Sequence, residues 1–334
     1  MKKIIFFSIF ILTVSSCARY EKIEQTRNLM GTFIKITVYD KNRSRAFKAI
    51  NLAFEEIEKV DKLMSTYKED SEVSRLNRNG YLDAVSSDLA YVLRKAQQYS
   101  EMSDGAFDIT VKPVLDLYKR SFNIRNSPPD EDELAEVLKL VDYRNVILEE
   151  FAFSNASEQP PFCSVKLKTK GCMIDLGGIA KGYAIDLAIE ALEKSGINYG
   201  LVNAGGDIRT LRTKPDGSQW CVALQNPRDP KDFITKLQLS DKAVATSGDY
   251  ERYFDESKSV HHIMNPKTGK SATELISVTV VAERAIDADA LATAVFVLGE
   301  KRGMNLINTL EDTEALIITA DRRILKSKGF DNLR

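Results

Sequence analysis

The sequence has few of the residue patterns that mark zinc and thiol chemistry. Its two histidines, His261 and His262, are adjacent, and adjacent histidines rarely supply three ligands to one zinc ion. None of its four cysteines lies in CxxC spacing, so neither a thiol redox motif nor a zinc knuckle is indicated. Any bound metal would therefore be held mostly by oxygen atoms, which favours magnesium or calcium.

The sequence also lacks an excess of positive or of negative charge. The 334 residues include 47 basic and 48 acidic side chains, for a formal net charge of −1 at pH 7. Proteins that bind nucleic acid usually carry a basic excess, so no nucleic-acid partner is expected.

Long apolar runs are absent after a single segment near the start. Ile4–Val14 is apolar over about eleven residues, too short to span a bilayer as a helix. It follows a basic start and precedes Val14-Ser-Ser-Cys17, which resembles a bacterial lipoprotein signal. We expect residues 1–16 to be a signal peptide, Cys17 to be lipidated and residues 17–26 to be a tether. The alternative is a plain secretory signal with an unmodified cysteine, and both predict a mature chain outside the cytoplasm.

The central stretch, residues 174–210, contains two Gly-Gly turns on either side of one predicted helix. The helix is predicted over 179–194 from apolar spacings of three and four. Asp175 precedes Gly177-Gly178, and Asp207 follows the second pair. Glycines allow a ligand to approach the backbone, and a helix N-terminus suits a phosphate. The alternative is that the glycines only form tight turns, since neither a GK[ST] ending nor GxGxxG is present.

The rest of the chain mixes strands and helices without a regular βαβ order. Further helices are predicted over 43–64, 130–141 and 288–298, with another from Ser86 or Ser87 to about Asp104. Strands are predicted over 32–38, 199–202, 219–225, 234–239, 243–246, 276–281 and 315–320, with short strands between 145 and 175. Because 43% of the residues are hydrophobic and no linker is apparent, we expect one large α+β domain over 27–334, with mixed or antiparallel sheets flanked by helices.

Several short motifs in order resemble those of the ApbE family, the FAD:protein FMN transferases. They are Met30-Gly-Thr32, Ser65-Thr-Tyr67, Gly105-Ala-Phe-Asp-Ile-Thr110, Asp175-Leu-Gly-Gly178 with Lys181, Asn203-Ala-Gly-Gly-Asp207, Ala245-Thr-Ser-Gly-Asp-Tyr250, His262-Ile-Met-Asn-Pro266 and Ala288-Asp-Ala-Leu-Ala-Thr293. One departure is Asn265, where the family usually has aspartate.

The resemblance implies a magnesium-dependent enzyme, with calcium as a possible substitute. Such an enzyme transfers FMN from FAD to a threonine or serine hydroxyl of a partner protein and releases AMP. The implied partners are flavin-acceptor subunits of membrane redox complexes on the extracytoplasmic side. The alternatives are an FAD pyrophosphatase, which uses water as the acceptor, and a lipoprotein that only binds FAD.

The resemblance also implies roles for individual residues. The implied metal ligands are Asp289 and Thr293, with backbone carbonyls of Gly178 and Ala292. The implied FAD contacts are Met30, Tyr67, Ala106, Phe107, Asp108, Asp175, Lys181 and Ile263. His262 is the candidate general base and Asp289 its competitor.

Each assignment has a structural alternative. Asp289 could cap its helix and Thr293 could bond back to a carbonyl. Phe107 and Ile263 could be core residues, Lys181 could form a solvated ion pair, and His262 could be a hydrogen-bonded support of its loop.

Overall fold

The computed structural model describes residues 19–151, 162–255 and 259–334. The predicted signal peptide and Cys17 lie outside these ranges and stay predictions. In the described part of the chain, no helix combines the length and apolarity needed to cross a membrane.

The described residues form helices α1–α7 and strands β1–β13. The helices are α1 Arg43–Met64, α2 Glu72–Asn79, α3 Ser87–Met102, α4 Lys112–Arg125, α5 Glu131–Leu138, α6 Ala180–Lys194 and α7 Ala285–Ile307. The strands are β1 Glu21–Leu29, β2 Thr32–Asp40, β3 Tyr81–Val85, β4 Val146–Phe151, β5 Phe162–Leu167, β6 Tyr199–Ala204, β7 Asp207–Leu211, β8 Trp220–Asn226, β9 Asp229–Leu239, β10 Ala243–Gly248, β11 Leu275–Ala282, β12 Glu314–Thr319 and β13 Ile324–Lys326.

An eight-stranded sheet in the order β1-β2-β6-β7-β10-β11-β12-β13 organises the molecule. A three-stranded sheet, β3-β5-β4, and the hairpin β8-β9 accompany it. The described strand pairings are all antiparallel. The prediction of an α+β fold with mixed or antiparallel sheets is confirmed.

The two faces of the large sheet have different covers. On the helical face, α1, α6 and α7 pack against the strands, and Phe54, Ile189 and Phe296 are buried there. On the hairpin face, Val222 and Leu237 of the β8-β9 hairpin pack over Val244 and Ile276. Two layers of apolar packing therefore hold the sheet between helices and a hairpin.

A close crossing of α6 and α7 defines the helical face. Gly182 lies in the first turn of α6, and a Cβ at that position would be 2.3 Å from the carbonyl oxygen of Ala285. Only glycine permits this approach. The starts of the two helices are therefore in backbone contact.

The structure corrects several predicted boundaries. The predicted tether over 17–26 was wrong over its second half, because Glu21–Leu29 form β1 and pair with β2 along their whole length. This edge strand buries little besides Ile23, so its composition is that of a polar tether. The helix predicted over 288–298 begins at Ala285 and continues past a break at Gly299, where φ is 78°.

Two helices were not predicted from the sequence. The helix α2 lies in a polar stretch and buries only Val73 and Leu76. Its available signals were the capping residue Ser71 and the left-handed Gly80 at its end. The helix α4 carries Pro113 in its first turn, where proline is tolerated.

Candidate active site

The Gly177-Gly178 turn is held in place by side chains from neighbouring segments. The amide of Asn77 donates to the carbonyl of Ile174 at 2.9 Å and accepts from its N–H at 2.7 Å. Asp175 Oδ1 accepts from the N–H of Gly177 at 2.7 Å. The carboxylate of Asp175 therefore helps to shape the turn.

The turn faces two oxygen-bearing side chains of α7. A Cβ at Gly178 would lie 3.0 Å from Thr293 Oγ1, so the glycine backbone and this hydroxyl are close neighbours. Asp289 lies one turn earlier in α7, is 6% exposed, and its Oδ2 accepts from the N–H of Gly182 at 3.0 Å. Ser247 Oγ lies 3.2 Å from Thr293 Oγ1. Asp289, Thr293 and Gly178 are thus brought together as the sequence predicted, and Ser247 joins them.

This arrangement bears on the structural alternatives for the two side chains. Asp289 lies in the second turn of α7, since the helix begins at Ala285, and it binds an N–H of α6. The hydroxyl of Thr293 faces Ser247 and the glycine turn. Ala292, the other implied ligand, is completely buried within α7.

A lysine cation lies beside this group of oxygens. Lys181 Nζ is 2.7 Å from Asp207 Oδ2, and Asp207 Oδ1 accepts from the N–H of Thr246 at 3.1 Å. Burial alone would lower the pKa of Lys181, but the carboxylates of Asp207 and Asp289 raise it. The structural alternative for Lys181 was a solvated ion pair. The ion pair with Asp207 is instead largely buried, because the side chain of Asp207 is only 4% exposed.

The same cluster shifts the titration of Asp289. Burial raises the pKa of its carboxyl, and the negative charge of Asp207 raises it further, while Lys181 opposes both effects. A divalent cation at this carboxylate would reverse the shift, because it favours the ionised form.

The adjacent histidines have separate roles. His261 is buried, and its Nε2 donates to the carbonyl of Ala272 at 2.9 Å while its Nδ1 accepts from the N–H of Ile263 at 3.3 Å. Both ring nitrogens are thereby used inside the protein, which makes His261 a structural residue.

His262 is half-buried and uses one ring nitrogen. Its Nδ1 lies 3.0 Å from the carbonyl of Arg252, and because a carbonyl only accepts, the neutral ring carries its proton on Nδ1. The lone pair on Nε2 is then available to accept a proton. Burial, together with the positive charges of Arg252 and Lys181, lowers the pKa of His262 to about 4.

Met30 and Tyr67 lie at the edge of this site. Met30 and Gly31 form the two-residue turn between β1 and β2 with positive φ at both positions. A Cβ at Gly205 would lie 2.4 Å from Thr32 Oγ1, so this turn packs against the second Gly-Gly turn. Tyr67 is 82% exposed, and its neighbour Thr66 donates to Asp175 at 3.3 Å.

The segment Ala106–Asp108 and Ile263 are buried. The ring of Phe107 lies under the glycine turn, since its Cε2 would be 3.4 Å from a Cβ at Gly178. Phe107 and Ile263 belong to the core of the helical face, as the structural alternative proposed for both. The carboxylate of Asp108 accepts from the N–H groups of Thr110 and Tyr143, and burial raises its pKa.

A groove of about 420 Å³ opens beside this segment. It is lined in part by Asp104, Asp108, Tyr143 and Lys267. The neighbouring Asn265 accepts from the N–H of Lys267 at 2.9 Å through Oδ1. The asparagine that departs from the family pattern therefore keeps the turn-capping oxygen of an aspartate.

The donor atoms at Asp289 match a hard cation. In the described residues no cluster of three or more histidine, cysteine, aspartate or glutamate side chains could hold a metal. The available groups are one carboxylate, two hydroxyls and backbone carbonyls, which are ligands of magnesium and calcium rather than of zinc.

The comparison with known families rests on most of the chain. The model of the ApbE family matches residues 30–317. The chain belongs to the ApbE family.

Relatives with a stated activity cover nearly the same extent. The FAD:protein FMN transferase of Treponema pallidum (strain Nichols) is 32% identical over 334 aligned positions, which cover 95% of this chain and 91% of that protein. That of Klebsiella pneumoniae (strain 342) is 31% identical over 304, covering 90% of each chain.

Solved structures of ApbE proteins have the same fold. The ApbE protein of Thermotoga maritima superimposes with a TM-score of 0.82 at 33% identity, covering 94% of this chain and 99% of that one. The flavin transferase ApbE of Vibrio cholerae gives 0.78 at 26% identity, covering 94% and 100%.

Asp207 and Asn77 were not assigned roles from the sequence of this ApbE chain. Asp207 is the partner of Lys181, and Asn77 holds the backbone of Ile174 just before Asp175. The sequence signal for Asp207 was its position after the second Gly-Gly pair. Its contact with a lysine 26 positions earlier depends on how β7 and α6 pack.

Proposed function

We propose that this protein is a magnesium-dependent FAD:protein FMN transferase. The observation that carries the proposal is the convergence of Asp289, Thr293 and Lys181 on the Gly177-Gly178 turn. Such a site offers hard oxygens, a cation and a close backbone approach together, which a pyrophosphate needs. The activity stated for the relatives supports this reading.

The residues fit a magnesium ion, with calcium as a substitute. Asp289 and Thr293 would hold it with the carbonyls of Gly178 and Ala292, and Ser247 lies within reach of the same position. When bound, the ion would neutralise charge on the phosphate oxygens of FAD.

The reaction replaces the phosphoanhydride bond of FAD with a phosphoester bond to the acceptor. The hydroxyl oxygen of an acceptor serine or threonine attacks the phosphorus of the FMN half, and a new O–P bond forms. The bond from that phosphorus to the bridging oxygen breaks, and AMP leaves with the bridging oxygen and its electron pair. Lys181 stabilises the negative charge that develops on the phosphates.

We assign removal of the hydroxyl proton to His262. Among the described residues its Nε2 has no hydrogen-bond partner, whereas Asp289 already accepts from Gly182 and faces the cation site. A pKa of about 4 makes a weak base in the free protein, but bound phosphates would raise it by their negative charge.

FAD contacts are proposed for the turn and the segments around it. Asp175, Met30 and Tyr67 border the turn, and Ala106, Phe107, Asp108 and Ile263 support its floor. The exposed ring of Tyr67 is suited to stacking on a planar ring of FAD.

The acceptor and the location follow from the sequence resemblance. We propose that the acceptors are subunits of membrane redox complexes that carry a motif like Asp-Gly-x-[Ser/Thr]-Gly-Ala-[Ser/Thr]. Lipidation of Cys17 would hold the enzyme at the extracytoplasmic face of a bacterial membrane, on the periplasmic side of the inner membrane.

The test mixes the purified protein with FAD, magnesium and a protein fragment carrying the acceptor motif. A fluorescent acceptor band on a denaturing gel, with an equal amount of AMP, is the expected result. Formation of AMP and free FMN without a labelled band would show that the protein hydrolyses FAD and does not transfer FMN. If FAD stayed intact throughout, the protein would be one that binds FAD without catalysing a reaction.

A further inference from the structure

The helices α6 and α7 cap each other through a reciprocal pair of carboxylates. Asp289 of α7 accepts from the N–H of Gly182 in the first turn of α6 at 3.0 Å. Asp186 of α6 accepts from the N–H groups of Ala285 and Ile286 in the first turn of α7 at 2.9 and 3.1 Å. The arrangement is symmetric. Asp289 lies four residues after Ala285, whose N–H is capped by Asp186, and Asp186 lies four residues after Gly182, whose N–H is capped by Asp289.

This exchange replaces the ordinary capping of both helices. The first N–H groups of a helix have no partner within it, and neither Ile179 nor Arg284, the residues before the two helices, makes a side-chain capping bond. The starts of α6 and α7 therefore depend on each other. At Gly182 the backbones of the two helix starts are in direct contact.

Both carboxylates are buried, but only Asp289 faces the proposed cation site, and Asp186 lies away from it. It is 0% exposed, and Arg209 Nη1 lies 2.6 Å from its Oδ1 while Arg284 Nε lies 3.3 Å from its Oδ2. Two guanidinium groups and two backbone N–H groups thus compensate the cost of burying the charge. Such a well-satisfied carboxylate fixes the geometry of the groups around it.

We propose that Asp186 is a positioning residue that sets the distance between the Gly177-Gly178 turn and the Asp289–Thr293 ligand pair. It holds the start of α7, and Asp289 lies one helical turn beyond Ala285, about 6 Å along the axis. The turn precedes α6 directly, so a shift between the two helices changes the cation site. The inference rests on the proposed function.

The test measures Mn²⁺ binding to the full-length protein in detergent micelles, by electron paramagnetic resonance of the free ion. Asp186→Asn keeps the shape and one acceptor but loses the charge. We expect this variant to bind Mn²⁺ about tenfold more weakly, as loss of a group that orients a metal ligand does. Its kcat for transfer should fall while its KM for FAD changes little.

A matched control uses the other carboxylate that caps α7. Glu274 accepts from the N–H of Glu300 at 2.7 Å, just after the break at Gly299. Glu274→Gln should lower the urea midpoint of unfolding but leave Mn²⁺ affinity unchanged.

Wild-type Mn²⁺ affinity in Asp186→Asn, with only the urea midpoint lowered, would make Asp186 a purely structural residue and overturn the inference alone. No Mn²⁺ binding and no flavin transfer by the wild-type protein would overturn the proposed function as well. Asp186→Ala, if it folds, should weaken Mn²⁺ binding more than the asparagine variant.

Discussion

The helical face of the large sheet buries carboxylates among its apolar side chains, whereas the hairpin strands bury apolar side chains and no carboxylate. Asp186, Asp207 and Asp289 are at most 6% exposed between the sheet and α6–α7. In β8 and β9, both fully described, no carboxylate is buried. Burying an ionised group costs free energy unless it is paired, so the protein accepts that cost on the face where the site lies. The hairpin face then contributes to stability, and substitutions on the two faces should affect transfer and stability differently.

The largest effect on transfer is expected from Asp289→Ala. The change removes the only carboxylate of the proposed cation site, and we expect a loss of transfer of about a thousandfold or more, on the scale of losing a main electrostatic group. The loss of the Gly182 cap should cost about 1 kcal/mol of stability. Transfer and the circular dichroism spectrum are the measurements, and full activity in this variant would exclude the assignment.

His262→Gln should have the next largest effect. Loss of a general base lowers kcat by about a hundredfold or more. The neighbouring His261→Gln provides the contrast, since it breaks two buried hydrogen bonds and should cost about 1–3 kcal/mol of stability with little change in kcat. Equal losses of kcat in both variants would contradict a separate role for His262.

Lys181→Met should weaken FAD binding by about tenfold, the value of one charge-assisted hydrogen bond. Since Asp207 and Asp289 lose their cation, negative charge at the site increases. Isothermal titration with FAD would measure the change, and Lys181→Arg is the control that restores the charge. Unaltered affinity in the methionine variant would place Lys181 outside the phosphate site.

The low pKa of His262 predicts a particular pH dependence. The pKa of His262 in the free protein is about 4. Titration of His262 should therefore leave kcat/KM for FAD constant from pH 6 to 8 and lower it towards pH 4, where the ring becomes protonated. The unfolded chain binds this proton near pH 6.5, so the folded state loses stability as pH falls from about 6.5 through 4. An inflection near pH 6.5 that disappears in His262→Gln would show that the ring is not desolvated.

The smallest effect on transfer is expected on the hairpin face. Leu237 is 0% exposed, and Leu237→Ala should cost about 2–5 kcal/mol of unfolding free energy. Transfer per folded molecule should not change, because Leu237 belongs to the apolar cluster of the hairpin face, whereas Asp289 and Thr293 lie in α7 on the other face of the sheet. Urea unfolding and transfer below the transition are the measurements, and a parallel loss of both would mean that the two faces are coupled.

Elements with a strong periodic pattern were predictable, and those held by pairing were not. The helix α1 matches its predicted bounds because eight buried residues recur along one face. The strand β1 has almost no buried face, so only its hydrogen bonds with β2 reveal it. The break at Gly299 was equally hidden, because a side chain there would clash with Glu274, which lies 25 positions away in the chain.

The candidate site was predictable as a set of residues but not as a geometry. The motifs implied that Asp289, Thr293 and Gly178 hold one metal, and the structure places Thr293 Oγ1 beside Gly178 with Asp289 one turn earlier in α7. They singled out His262 as the candidate base, but the physical difference between the histidines appears only in the structure. His261 is buried and uses both ring nitrogens, whereas His262 is half-buried and bonds through Nδ1.

Residue types and their order are enough to predict the family and the fold class, and they indicate a site with oxygen ligands. The contact of Lys181 with Asp207 and the capping of α6 by Asp289 and of α7 by Asp186 appear only in the folded chain. Those contacts join positions that are 26, 107 and 99 residues apart. Contacts at such separations depend on the close packing of α6 on α7, which local periodicity does not encode.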